Sequence, residues 1–213
     1  MLTERIYPGE GLLSEAPGTL SRDTVTIAES QTLKAGQPLG KVATAADVSR
    51  AAAAGNTGNG VLTLANPAFG GAVKPGLYKV TCIEPASNGG TFSVEDPDGA
   101  VVGIAKVGVA FAGEIKFTIA DDTDFAAGDI VNVTVANVVW QHKAYDPAAT
   151  DGAQVFAGIL YDAVTTGSGE TLAATAFVRQ LEWRDNAIVW GSLTSDQKAA
   201  ARVQARARGI IIR

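Results

Sequence analysis

The sequence predicts a mainly β protein with one short C-terminal helix: a compact β-rich domain carrying an inserted small antiparallel β-sandwich or barrel domain. Three observations lead there. Val and Ile together number 33 against 13 Leu, with 19 Thr, and such an excess of β-branched residues favours strands. Apolar and polar residues alternate with period two in short segments separated by turn residues. Charge is uneven: residues 52–140 hold 4 basic and 9 acidic residues, against 5 and 6 in 1–51 and 8 and 7 in 141–213. The expected organisation is a flexible N-terminal arm over 1–18, a core domain from 19–51 plus 141–213, and an inserted all-β domain over 52–140. Insertion needs two junctions close in space, which β domains commonly provide.

Each element follows in turn. Pro8, Gly9, Gly11, Pro17 and Gly18 deny the first 18 residues a stable helix, although Leu12 and Leu13 are apolar. Asp23–Ala28 alternates Val25 and Ile27 with threonines, and Leu39–Val42 follows a Gly36-Gln37-Pro38 turn. The run Ala51–Gly60 (AAAAGNTGNG) has no core-forming side chain and opens the insert. Leu77–Ile83 leads to a Ser87–Gly90 turn, and Phe92–Glu95 and Val101–Ala105 flank Asp96-Pro97-Asp98-Gly99. Ile115, Phe117 and Ile119, then Val131, Val133 and Val135, alternate with polar residues. One wet face and one packed face describe antiparallel strands. Val155–Leu160 and Thr175–Val178 are further strands. Thr194 with Gln197 has capping-box spacing, Ser195–Ala207 is rich in helix formers, and Gly209 can follow the helix end. Ile210–Ile212 reads as a closing strand.

Composition excludes several classes. Only 18% of the 213 residues are charged, and much of the 46% hydrophobic content is the 37 Ala, so one or two modest β cores are expected rather than a large enzyme core. A disordered tail, a coiled coil and a collagen are excluded. No run approaches the ~20 apolar residues of a membrane span. The start carries acids and prolines where a secretory leader would be apolar, so synthesis in the cytosol is expected. A lone Cys82 makes no internal disulfide and no zinc site. A net charge of −5 argues against duplex nucleic acid as a direct partner.

Candidate chemistry is sparse. A Ser–His–Asp site would have to use His142, the single histidine, which lies at the expected junction with no nucleophile-elbow sequence. Gly55–Gly60 (GNTGNG) has glycines, but no strand precedes it as a dinucleotide loop requires, so a linker is expected. Asp121, Asp122, Asp124 and Asp129 could supply oxygens to a cation, or be ordinary solvated turn residues. No cofactor and no catalytic or metal-binding residue is assigned. The 195–208 stretch has only Val203 as a large apolar residue, which fits a solvated helix covering one side of a β core. Trp183 and Trp190, with Ile188, are either local core or a subunit contact. The arm is either frayed or a segment that orders by pairing with the sheet edge of another protein.

The ends of the chain resemble the head decoration proteins of lambda-like tailed phages. The resemblance rests on Ser14–Ala28 (SEAPGTLSRDTVTIA), Leu33–Gly36 (LKAG), Leu39–Val42 (LGKV), Tyr145–Ala153 (YDPAATDGA), Ala157–Leu160 (AGIL), Phe177–Arg179 (FVR), Trp190 and Gly209–Arg213 (GIIIR). It implies a structural, non-enzymatic homotrimer seated on the outside of the expanded phage head at local three-fold positions. Its partner is then the major capsid protein of the same phage, and its arm orders on the shell. On that reading Leu12, Leu13 and Ser14 contact the shell, Arg22 and Asp23 anchor the base of the arm, and Trp183, Ile188 and Trp190 form the trimer seam. An alternative function is a trimeric display or adhesion module whose inserted domain binds a host-surface glycan or protein.

Overall fold

The computed structural model describes residues 7–120 and 125–213. Among them the chain is mainly β with a single α-helix. Two compact units form, one from Met1–Val42 with Trp140–Arg213, the other from Ala43–Val139. In chain order the strands are β1 (Leu12–Glu15), β2 (Arg22–Ile27), β3 (Thr32–Leu33), β4 (Pro38–Ala52), β5 (Val61–Phe69), β6 (Gly76–Ala86), β7 (Gly89–Glu95) and β8 (Val101–Lys106). There follow β9 (Phe111–Ala112), β10 (Ile115–Ala120), β11 (Ile130–Ala144), β12 (Phe156–Leu160), β13 (Val164–Thr165), β14 (Leu172–Phe177), β15 (Leu181–Trp183), helix α1 (Ser195–Ala207) and β16 (Ile210–Ile212). Strands β4 and β11 carry the chain across the two divisions.

In the first unit, β14 pairs antiparallel with both β2 and β12, and β12 pairs antiparallel with β4. His142 of β11 lies beside Ile27 of β2 in a parallel pairing. A separate three-stranded sheet joins the two ends of the chain: β1 is antiparallel to β15, and β15 is parallel to β16. Its core gathers Phe156, Ile159, Phe177, Leu181, Trp183 and Ile210. Helix α1 covers this core with Ala201 and Ala205, four apart and therefore on one face. Val203 is 71% exposed, so the helix has a wet face and a small-residue face, as its sequence predicts. The capping box is complete: the Gln197 N–H donates to Thr194 Oγ1 at 3.3 Å and the Thr194 N–H donates to Gln197 Oε1 at 2.9 Å. Gly209 follows at φ +73, a left-handed position that suits glycine.

In the second unit, β6 pairs with β7 and with the first half of β11, and β7 pairs with β8, all antiparallel. A second antiparallel sheet runs in the order β5-β10-β9. The period-two positions Ile115, Phe117, Ile119, Val131, Val133 and Val135 are all buried. Phe92 and Phe125 meet edge to face with ring centroids 4.9 Å apart. The Asp96–Gly99 segment is a tight turn: Asp96 Oδ1 accepts the N–H groups of Asp98 and Ala100, and Gly99 sits at φ +83. Asp96 also pairs with Lys74, and that contact, ahead of the main-chain bonds, holds its carboxyl below the ordinary value.

Candidate functional site

The N-terminal segment is built into its own subunit from residue 12 onward, whereas the sequence reading places it in a loose arm. Strand β1 lies at one edge of its sheet, in the order β1-β15-β16. Leu12 packs partly against the core cluster and pairs with Trp183. Gly11 explains the fit. A Cβ there would stand 2.3 Å from the Trp183 indole, so only glycine lets the chain cross the ring this closely. The register of β1 then slips between Leu12 and Ser14, which leaves Leu13 as the extra residue of a bulge, 46% exposed. Ser14 Oγ donates to Glu182 Oε2 at 3.1 Å, and Glu182 also pairs with Arg213 at 2.7 Å. Of the three residues expected to meet the shell, one is therefore core-facing, one is free on the surface and one is bonded within the chain.

The base of this segment is pinned by a fork. Arg22 donates through Nε and Nη2 to the two carboxylate oxygens of Glu15, at 3.0 and 2.6 Å, and Ser21 Oγ donates to the same carboxylate at 2.5 Å. These bonds, the Arg22 fork first, hold Glu15 below its ordinary pKa. The guanidinium also lies 5.0 Å from the Phe177 ring centroid and 5.3 Å from that of Tyr161. Asp23 pairs instead with Arg179, whose Nη1 donates to the Leu20 carbonyl at 2.7 Å. Glu15, Ser21 and Gly11 are absent from the sequence-based set. The opposite charges of Glu15 and Arg22 across a Pro-Gly segment were the available signal for the fork.

The three residues expected at a subunit seam divide. Trp183 is completely buried among Phe177, Leu181 and Ile210 of its own chain, so it has no surface to offer a neighbour. Ile188 is 6% exposed. Trp190 is half-buried, with its Nε1 donating to Asp185 at 3.2 Å and Arg202 lying 5.3 Å from its ring centroid.

The remaining candidates resolve locally. Gly55–Gly60 does cradle an anion, and the anion is the chain's own: Asp129 accepts the N–H groups of Thr57, Gly58 and Ala126, each at 2.9 Å. Burial would raise the pKa of Asp129, but these main-chain bonds outweigh it and hold the carboxyl low. Asp121, Asp122 and Asp124 lie outside the described residues. Among the described residues no cluster of three or more His, Cys, Asp or Glu is placed to hold a metal, and no helix is long and apolar enough to cross a membrane. His142 is pushed down to about 4, first by burial and then by Lys41 and Arg208, so its imidazole is neutral near pH 7. Among the described residues its buried Nδ1 has no hydrogen-bond partner and makes no nucleophile–base contact.

A sequence profile described as bacteriophage lambda head decoration protein D matches residues 1–210. The chain belongs to that head decoration family. It is thus a structural protein of the phage head, and its family places it on the virion capsid. The match agrees with the segments that resemble the family in the sequence. No curated protein matches the chain. Two solved structures show a remote likeness, both crystal structures of Xanthomonas campestris FlgL, in space groups H3 and C2. They are 21% and 20% identical over 51% and 52% of this chain, each with a TM-score of 0.33. The chain spans about a third of their length, 34% and 33%.

Proposed function

We propose that this decoration protein is a homotrimeric cement that binds the major capsid protein of its own phage from outside, at local three-fold positions of the expanded head, and resists the pressure of packaged DNA. Membership of the decoration family over residues 1–210 carries the reading. The edge position of β1 supports it, because an edge strand with an exposed apolar residue at a bulge is suited to pairing with a strand of the shell. Such a protein needs no turnover. It needs an interface present only in the expanded lattice, so that binding shifts the shell toward the expanded state by its differential affinity. At a free concentration ~100 times Kd each site contributes about 2.7 kcal/mol, and three subunits in one trimer add effective concentration.

Residues 43–139 hold 5 basic and 10 acidic residues, net −5, while the rest of the chain holds 12 of each. In this reading that acidic unit is an insert that keeps particles apart in solution and is dispensable for attachment. The test is light-scattering mass together with co-sedimentation on expanded and unexpanded heads. A mass three times that of the chain and pelleting with expanded heads alone are expected. Leu13→Asp should weaken pelleting without changing the mass, and joining Val42 to Trp140 through a Gly-Ser link should leave it intact. A strict monomer, or equal binding to both head forms, overturns the proposal.

A further inference from the structure

A cavity of about 370 Å³ opens in the first unit, lined by Lys41, Trp140, His142, Arg179, Arg208 and Asp23 among others. Its chemistry is unbalanced. Asp23 is taken by Arg179. Among the described residues no carboxylate is paired with Lys41 or Arg208; the Arg208 Nε is spent on the Phe156 carbonyl at 2.8 Å, and Lys41 Nζ rests 4.2 Å from the Trp140 ring centroid. Burial lowers the pKa of both Lys41 and Arg208, and the nearby Arg208 charge lowers that of Lys41 further. His142, from the neighbouring strand, feels the same two cations. Leaving two partly buried positive charges unpaired beside a neutral imidazole is costly unless something negative enters. The lining carries three positive groups against one carboxylate, an excess of two.

We propose that this cavity is an oxyanion site that takes one carboxylate or phosphate group, held by Lys41 and Arg208 with Trp140 as its apolar wall. Lys41 Nζ has donors to spare over the ring, Arg208 keeps its terminal nitrogens, and Arg179, also in the lining, is bonded to Asp23. The ligand can be a free ion or an acidic side chain of a second copy of this chain, and the two sources separate experimentally.

His142 is the single histidine, so its Cε1–H resonance reports the site without assignment ambiguity. Inorganic phosphate and succinate are titrated into the full-length protein against sodium chloride at matched ionic strength. A saturable shift of the His142 signal is expected with the oxyanions and not with chloride. The pH at which His142 titrates should rise by about one to three pH units in the bound form, because an opposite charge nearby favours the imidazolium. Lys41→Gln should abolish the saturation while preserving the dispersion of the Trp resonances; Arg208→Gln, at the end of α1, serves if the first variant does not fold. If the source is a second copy, the signal moves with protein concentration in the absence of added oxyanion and Lys41→Gln removes that dependence. No saturable shift from either source, or the same shift in a folded variant, overturns the proposal.

Discussion

Replacing Arg22 by Met tests whether the fork to Glu15 is what holds β1 in place. Met keeps much of the apolar stem over Phe177 and Tyr161 but removes both charged hydrogen bonds. The side chains of Arg22 and Glu15 are 32% and 21% exposed, so the pair belongs at the upper end of the surface range, about 1 kcal/mol, with bidentate geometry in its favour. Losing the cation from above two rings adds about 0.5–1 kcal/mol. The expected loss is therefore about 1.5–2 kcal/mol, a 10- to 30-fold change in a local opening equilibrium. Hydrogen exchange reads it directly. The Ala16 N–H donates to the Gln180 carbonyl at 3.1 Å and should lose protection by that factor, together with the amides of β1. The pH dependence has a definite sign. Glu15 titrates lower in the folded chain than in the unfolded one, so its contribution is present above the unfolded value near 4.5 and fades as pH falls through the folded value. The gap between native protein and Arg22→Met should shrink in acid to the part contributed by the two rings, and Glu15→Gln should cost less in the Arg22→Met background than in the native protein. Unchanged exchange of Ala16 with a lowered urea midpoint would refute the reasoning, because Arg22 would then serve only the Phe177 core.

Two further perturbations follow from the same geometry. Asp129→Asn retains one acceptor oxygen and turns an amide NH2 toward N–H donors, leaving at least one buried donor unpaired; a loss of about 1–3 kcal/mol in urea is expected near pH 7, shrinking below about pH 4 because the native carboxyl titrates below its unfolded value. An unchanged midpoint would show that the Gly55–Gly60 loop does not depend on that carboxylate. Gly11→Ala drives a methyl to 2.3 Å from the Trp183 indole, so either the ring or β1 must move; a loss of about 1–3 kcal/mol with red-shifted tryptophan emission is expected, and native-like emission at full stability would count against the close crossing.

What was legible in the sequence is what is local. Thr194 and Gln197 are three apart and specify the helix start between themselves; Asp96 and Gly99 do the same for a turn; Ile115, Phe117 and Ile119 announce their face by alternation alone. What was hidden depends on partners distant along the chain. The Gly55–Gly60 segment reads as a linker because its anion, Asp129, arrives from beyond β10. The choice between core and subunit contact for Trp183 is decided by Gly11, a residue whose role is to lack a side chain and which therefore leaves no pattern. The second half of β4 is rich in Ala and carries no apolar alternation, so the chain's division at Val42 and Ala43 falls ahead of residue 52, where composition changes. The cationic cavity is the extreme case. Its groups come from β4, β11 and the end of α1, and each alone reads as an ordinary surface residue. Only their convergence shows a positive excess without an anion. For the same reason, a family resemblance resting on the order of short local segments can establish the decoration role while remaining silent about this cavity.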